Sequence, residues 1–384
     1  MLYVTHAEVD LSAIARNVEQ ARKLAPHAKT LVAVKADAYG HGAVPVARHL
    51  AKLGLADWFG VATTPEGIEL RDAGITQPIL KLSPCLSDDE LDAAIAADIT
   101  PTVIDEATIA AASAAAARAG RTGYPVHLAI DTGMRRIGSS PVNAPALAQA
   151  IGADPALKLE GLFTHFPISD QPVGNEFTAG QMTSLLNVAD QIRADRDRAG
   201  LAPLELVHAS NSGAVLGHPT QGFDMVRPGI MAYGYYPDAE TPRPVELRPA
   251  LSWKSQLSYV KQVAAGDTVS YGRTWTAPVD SWIATVPVGY GDGYSRLNSN
   301  RGRMLVGGVS YPIVGRVCMD QTMLNLGPVI DGEPAPAKAG DEVVMLGRQG
   351  TESIDADELA ELMGTISYEV TCLINKRVER TYPA

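Results

Sequence analysis

The chain holds 384 residues, more than one ordinary compact core accommodates and comfortable for two domains. With 46% hydrophobic and 20% charged residues it has the composition of a globular protein. Its formal charge of −11 argues against nucleic acid as a partner, because a phosphate backbone needs a basic face.

Cys85, Cys318 and Cys372 lie far apart, without CxxC pairs or a Cys/His cluster, so reduced thiols are expected and no metal site. The opening MLYVTHAEVD has no basic segment followed by an apolar core, and no apolar run is long enough to cross a bilayer. These features predict a cytoplasmic protein with no membrane partner.

From about Leu31 to Tyr233, short apolar runs alternate with helical patterns. LVAVKA (Leu31 to Ala36) reads as a buried strand and Ala43 to Leu53 as a helix. FGVAT, PILKL, TPTVI, VHLAID, LEGLFTHF and LELVHAS follow as strands, and a last short segment around FDMVRPG and IMAYG brings the count to about eight. Continuous apolar strands separated by helices imply parallel strands buried on both faces, and eight such units close into a (β/α)₈ TIM-type barrel. The Ala-rich run from Ala107 to Ala119 favours a helix. PDAETPRPVELRP then reads as a linker, and beyond it SQLSYVKQV, DTVSYG, WIATVPVGY, RMLVGG, YPIVGRV and DEVVMLG read as strands with few helices between them. The expected fold is therefore α/β, a barrel over residues 1–240 and a mainly antiparallel β domain over 241–384. The first ten or so residues are expected to pair with the β domain. One late helix is predicted over Ile354 to Met363.

Barrel active sites form at the carboxyl ends of the strands, so the strand ends carry the functional reading. AVKADAYGHG places Lys35 at the first such end, where a desolvated lysine becomes a usable amine. Alone, a strand-end lysine more often snorkels to solvent. Tyr39, Gly40 and Gly42 beside it add a phenol and an open turn. DTGMRRIG puts two arginines, an anion site or an ordinary charged loop, at another strand end. FTHF adds His165, which counts only in combination. HASNSGA and MVRPGI bring hydroxyls, an amide and glycines to the last strands, where barrels commonly bind phosphate. In the second domain SYGRTW sets Tyr271 in a Gly-bounded turn. VGYGDGYSR is read as a tight turn presenting Tyr290 and Arg296, not as a phosphate loop, since no helix follows it convincingly.

From AEVDL to SYEV the chain resembles the bacterial alanine racemase family, a pyridoxal phosphate-dependent family of fold type III. AVKADAYGHG, VRPGI, SYGRTW and GRVCMDQ, in that order, carry the resemblance. It implies a homodimer whose active site is completed across the interface and which supplies D-alanine for peptidoglycan. It implies that Lys35 bonds covalently to pyridoxal 5′-phosphate and that Tyr271 comes from the other subunit as the second base. Arg227 would face the pyridine nitrogen and His165 would lie beside the ring. Tyr39, Ser212, Gly229, Ile230 and Tyr368 would hold the phosphate, with Asn211 close by. Arg136 would meet the phenolic oxygen and the substrate carboxylate. The Met319 backbone N–H would also meet that carboxylate, with Asp320 beside it, and Tyr290 and Arg296 would line the substrate entrance.

Three departures bear on substrate range. Many relatives carry a lysine, modified to a carbamate, where this chain has Ala129, so a small anion or another side chain supports Arg136, or Arg136 is placed less firmly. Arg135 stands where a small or neutral residue is usual, and THFPISD departs from the common alanine- and acid-rich run after His165. The alternatives are a racemase of broader range or in a specialised pathway, acting on serine or other amino acids, and a non-catalytic pyridoxal phosphate-binding protein. A decarboxylase of similar architecture relies on an acidic pyridine partner, and Arg227 speaks against it.

Overall fold

A computed structural model describes residues 2–383, which separate into two compact units. One comprises Ser12–Ala38 and Gly42–Arg248; the other comprises the residues up to Leu11, Tyr39–His41, and the chain from Pro249 onward. Among the described residues no helix is long and apolar enough to cross a membrane.

The first unit is a parallel barrel. Its strand segments are Lys29–Ala33, Trp58–Val61, Ile79–Lys81, Ile99–Thr100, Thr102–Val103, Tyr124–Ala129, Leu157–Phe163, Leu206–His208 and Met225–Val226. All neighbours pair in parallel, and the last returns to the first through Met225 opposite Lys29. Nine segments make eight strands, because Pro101 splits one of them. Residues 99–100 pair with Ile79–Leu80 and residues 102–103 with His127–Leu128. Proline has no N–H to extend the first pairing, while the Pro101 carbonyl still accepts from His127 N at 3.1 Å.

Most strand positions are wholly buried, as the continuous apolar runs require. The Ala-rich helix forms at Glu106–Arg118 and starts on a capping box between Asp105 and Thr108. It buries Ile109, Ala112, Ala115 and Ala116, one face at helical spacing.

Three local expectations change. LVAVKA is strand only to Ala33, because the chain turns left-handed at Ala36. IMAYG is a 3₁₀ turn, Ile230–Tyr233, and not a strand. The barrel unit also extends to Arg248, past the 240/241 boundary. Buried Asn17 donates to the carbonyls of Ala232 and Arg248 and accepts from Arg248 N, tying this stretch to the first helix.

The second unit is β-rich. One sheet runs in the order Val309–Pro312, Arg303–Val306, Glu342–Gln349, Leu251–Gln256, His6–Val9 and Glu379–Thr381, with Glu352–Ile354 beside Glu342–Gln349. All pairings are antiparallel except His6–Val9 with Glu379–Thr381. Tyr259–Val263, Ser281–Val286 and Thr322–Pro328 form a three-stranded sheet. The helix Ala356–Met363 is capped by Asp355, and a second helix, Ser367–Leu373, follows it.

Candidate active site

Lys35 follows the first barrel strand, half-buried at its carboxyl end. Ala36, Asp37, Ala38 and Tyr39 then adopt φ of +52° to +54°, four consecutive non-glycine residues in the left-handed region. Each costs about 1–2 kcal/mol relative to right-handed backbone. Local bonds hold the turn. Ala38 N donates to Val34 O, Gly42 N to Asp37 O, Ala43 N to the Asp37 carboxylate and Ala36 N to Glu66 Oε1, all at 2.8 Å. The turn prevents the strand from continuing, so the lysine stands at a fixed point on the barrel rim.

Arg227 is the electrostatic centre of the barrel's strand ends. It is 5% exposed, and its Nη2 donates to Thr164 O (2.8 Å) and reaches His165 Nδ1 (3.2 Å). Its Nη1 donates to His208 Nδ1 at 2.9 Å. A guanidinium only donates, so His208 Nδ1 accepts and its Nε2 carries the hydrogen. That hydrogen points at His127 Nδ1 (2.9 Å), which leaves the His127 Nε2 hydrogen for Glu160 Oε2 at 3.3 Å. One donor-only cation thus fixes both tautomers along a chain ending on a carboxylate. Burial and the Arg227 charge keep His208 well below the usual imidazole range, and burial also lowers His127. Burial and the nearby Arg136 charge bring Arg227 down to about 9, so it remains a cation at neutral pH. His165 is held well below the normal range, first by desolvation and then by the charges of Arg227, Arg136 and Lys35. It is a neutral imidazole among cations.

At the last strands, two turns meet through one hydroxyl. Ser212 Oγ accepts from Gly229 N (2.9 Å) and Met231 N (3.3 Å), so HASNS and VRPGI are locked together. The Asn211 side chain is spent on structure. It caps the turn by accepting from Ala214 N, accepts from Ser169 Oγ and donates to Phe166 O. The N–H groups of Ser212, Gly213 and Ile230 meet no acceptor among the described residues. Nor does the buried Ser210 hydroxyl have a partner.

The DTGMRRIG loop is closed by Asp131, whose Oδ1 accepts from Gly133 N and Arg135 N. Thr132 Oγ1 bonds Thr164 Oγ1 at 2.7 Å and receives Gln181 Nε2 at 3.1 Å. Arg135 sits at φ +59° with an exposed side chain, 3.6 Å from Asp131. Arg136 is exposed and, among the described residues, no side chain bonds it; Ala129 is 2% exposed and offers only a methyl group.

The remaining residues lie in the second unit. The Tyr39 and Tyr368 rings are 6.1 Å apart. Gly40 between them and the barrel sequence has φ +83°, and a Cβ there would lie 2.1 Å from Thr371 O, so only glycine fits. Tyr271 is 72% exposed in a short turn, Val269 and Trp275 flanking it as a two-stranded pair. Tyr290, Arg296 and Met319 are exposed as well.

The sequence reading overlooked His208, His127 and Glu160 as a connected set. The signal was present: two histidines interrupt otherwise apolar strands, VHLAI and LVH, and Gly161 makes room by lying where a Cβ would strike the His127 ring at 2.6 Å.

A strand-end amine, a donor-only guanidinium and a neutral imidazole on a parallel barrel, followed by a β-rich unit with a turn-borne tyrosine, are the parts of a two-domain amino-acid racemase. The comparisons agree. The family described as alanine racemase, N-terminal domain, matches residues 9–237, and the alanine racemase C-terminal domain matches residues 250–382. The alanine racemase of Cutibacterium acnes is 51% identical over 376 residues, covering 98% of this chain and 97% of its own. The solved alanine racemase of Clostridium difficile 630 is 38% identical, with a TM-score of 0.89, over 100% of this chain and 96% of that one. That of Bacillus anthracis, solved with bound L-Ala-P, is 35% identical, with a TM-score of 0.88, over 100% and 95%. The chain belongs to the alanine racemase family.

Proposed function

We propose that the chain interconverts L- and D-alanine by a two-base mechanism with pyridoxal 5′-phosphate, as a cytoplasmic homodimer supplying D-alanine for peptidoglycan. The observation that carries this reading is Arg227, a buried, donor-only cation at the strand ends near Lys35 and His165. A donor facing a ring nitrogen keeps that nitrogen unprotonated, which suits racemisation and limits side reactions such as transamination.

The residues present fit the cofactor. Among the described residues the N–H groups of Ser212, Gly213 and Ile230 and the Ser210 hydroxyl meet no partner, and backbone N–H groups at turn starts suit a phosphate. In this reading Lys35 holds the cofactor covalently and Arg227 faces the pyridine nitrogen. His165 lies beside the ring, and Ser212, Gly229, Ile230, Tyr39 and Tyr368 take the phosphate, with Asn211 bracing their turn. When bound, the cofactor draws electron density from the α-carbon and makes the α-proton removable.

The protein's own task is to move that proton on two faces. Once the substrate amine has taken its place on the cofactor, Lys35 Nζ would remove the proton from the D-isomer while Tyr271 Oη delivers one to the opposite face, and the two roles would exchange for the L-isomer. Arg136 and the Met319 N–H hold the substrate carboxylate, and Tyr290 and Arg296 line the entrance. Because Tyr271 is 72% exposed in the single chain, a partner subunit is the natural source of the barrel surface it needs. The Bacillus anthracis relative with bound L-Ala-P supports alanine as substrate. A broader range is the second reading, favoured by Ala129, since among the described residues no side chain bonds Arg136.

The test is to incubate purified holoenzyme with each alanine isomer in D₂O and follow inversion and α-proton exchange. Both should occur, and Lys35→Ala should lose the visible absorbance of lysine-bound cofactor. Tyr271→Phe should keep that absorbance and slow turnover from L-alanine most. Equal, undiminished turnover of both isomers by Tyr271→Phe would defeat the two-base assignment.

A further inference from the structure

The glycines of VGYGDGY have a use that their turn alone does not explain. Tyr290 N donates to Cys318 O (3.1 Å) and Gly291 N to Met319 O (2.9 Å), so this loop lies along Cys318–Met319. A Cβ on Gly289 would approach Cys318 O to 2.2 Å, and one on Gly291 would approach Arg377 Nη2 to 2.7 Å. Backbone contact this close requires glycine at 289, while a side chain at 291 would displace the Arg377 guanidinium and press on Met319 O at 3.0 Å.

One guanidinium closes the arrangement. Arg377 Nε donates to Asp292 Oδ1 (2.7 Å) and its Nη2 to Asp320 Oδ1 (2.8 Å). The two carboxylates differ in setting. Asp292 is wholly buried and also accepts from Gly289 N (2.8 Å) and the Tyr3 hydroxyl (3.1 Å), so its charge is satisfied by the fold. The Asp320 side chain is 61% exposed and adjoins Met319, whose N–H meets no acceptor among the described residues. An exposed carboxylate next to a waiting N–H repels any anion approaching that N–H, unless a cation is fixed beside it.

We propose that Arg377 is a positioning residue for substrate: it neutralises and anchors Asp320 so that the Met319 N–H can receive a carboxylate. The role deepens the reading of Met319 given above and rests on it. Asp292 serves as the buried post from which Arg377 reaches outward, and the glycine loop holds Met319 against that post.

The experiment uses holoenzyme carrying Arg377→Lys. A lysine keeps one ion pair with buried Asp292, so the fold survives, but one ammonium cannot span both carboxylates as the guanidinium fork does. KM for L-alanine and the inhibition constant for propanoate, the same carboxylate without the amine, should rise together by on the order of tenfold. The visible absorbance of lysine-bound cofactor should not change. Added potassium chloride should shrink both effects, because screening weakens an exposed charge. Adding Asp320→Asn to Arg377→Lys should restore most of the loss, an outcome that a merely structural brace would not give. Unchanged KM and propanoate inhibition in Arg377→Lys, or no recovery in the double variant, would overturn the proposal. A wild-type enzyme that turns over alanine yet ignores propanoate would instead remove the carboxylate site at Met319, and the role of Arg377 with it.

Discussion

Arg135 occupies a left-handed backbone position, φ +59°, that costs a side-chain-bearing residue roughly 1 kcal/mol against glycine. Its return is one exposed ion pair with Asp131 at 3.6 Å, a contact worth little in water. Arg135→Gly should therefore stabilise the protein by at most about 0.5 kcal/mol in denaturant titrations, after the extra chain entropy of glycine is set against the strain released. A loss of stability would mean that the Arg135 side chain holds the DTGMRRIG loop. Placement was legible in sequence where strand ends and turns announce it: Lys35 follows an apolar strand and Tyr271 sits in a Gly-bounded turn, as expected. The left-handed run Ala36–Tyr39 was not, because ADAY contains no glycine to announce positive φ, and only its surrounding hydrogen bonds hold it there.

At the scale of elements, the strands do more than carry residues to the rim. The Leu206–His208 and Tyr124–Ala129 strands place two imidazoles in the barrel interior, where the Arg227 charge orders them toward Glu160. Both have folded-state pKa values below 6.5. Below pH 6.5 the unfolded chain takes up protons that these buried imidazoles refuse. Stability should therefore fall as pH drops from 6.5, by about 1.4 kcal/mol per pH unit for each histidine fully refusing its proton. The depressed carboxylates Glu8 and Glu90 enter only lower, below about 4.5. Calorimetric unfolding in buffers of different ionisation heats should show proton uptake between pH 5 and 6.5, and no uptake there would contradict the neutral assignment. Strand positions were readable from apolar runs bounded by helices. The Pro101 break and the Thr322–Pro328 strand were not, since each depends on pairing partners distant in sequence, and the local 3₁₀ turn in IMAYG was hidden by an apolar run that reads as strand.

For the whole molecule, the two proposed bases lie in different units of one chain, Lys35 in the barrel and Tyr271 in the β-rich unit. A sequence can name both but does not say which copy of the chain supplies each. The most direct measurement mixes two impaired proteins, Lys35→Ala and Tyr271→Phe, assayed from L-alanine under conditions where subunit exchange is shown by mass. In a two-fold dimer with shared sites, each hybrid has one site with both lesions and one with neither, so an equal mixture should regain about a quarter of wild-type activity. If subunits exchange and no activity returns, the two residues serve the same chain's site or do not act as a pair, and the two-base, two-subunit account is wrong.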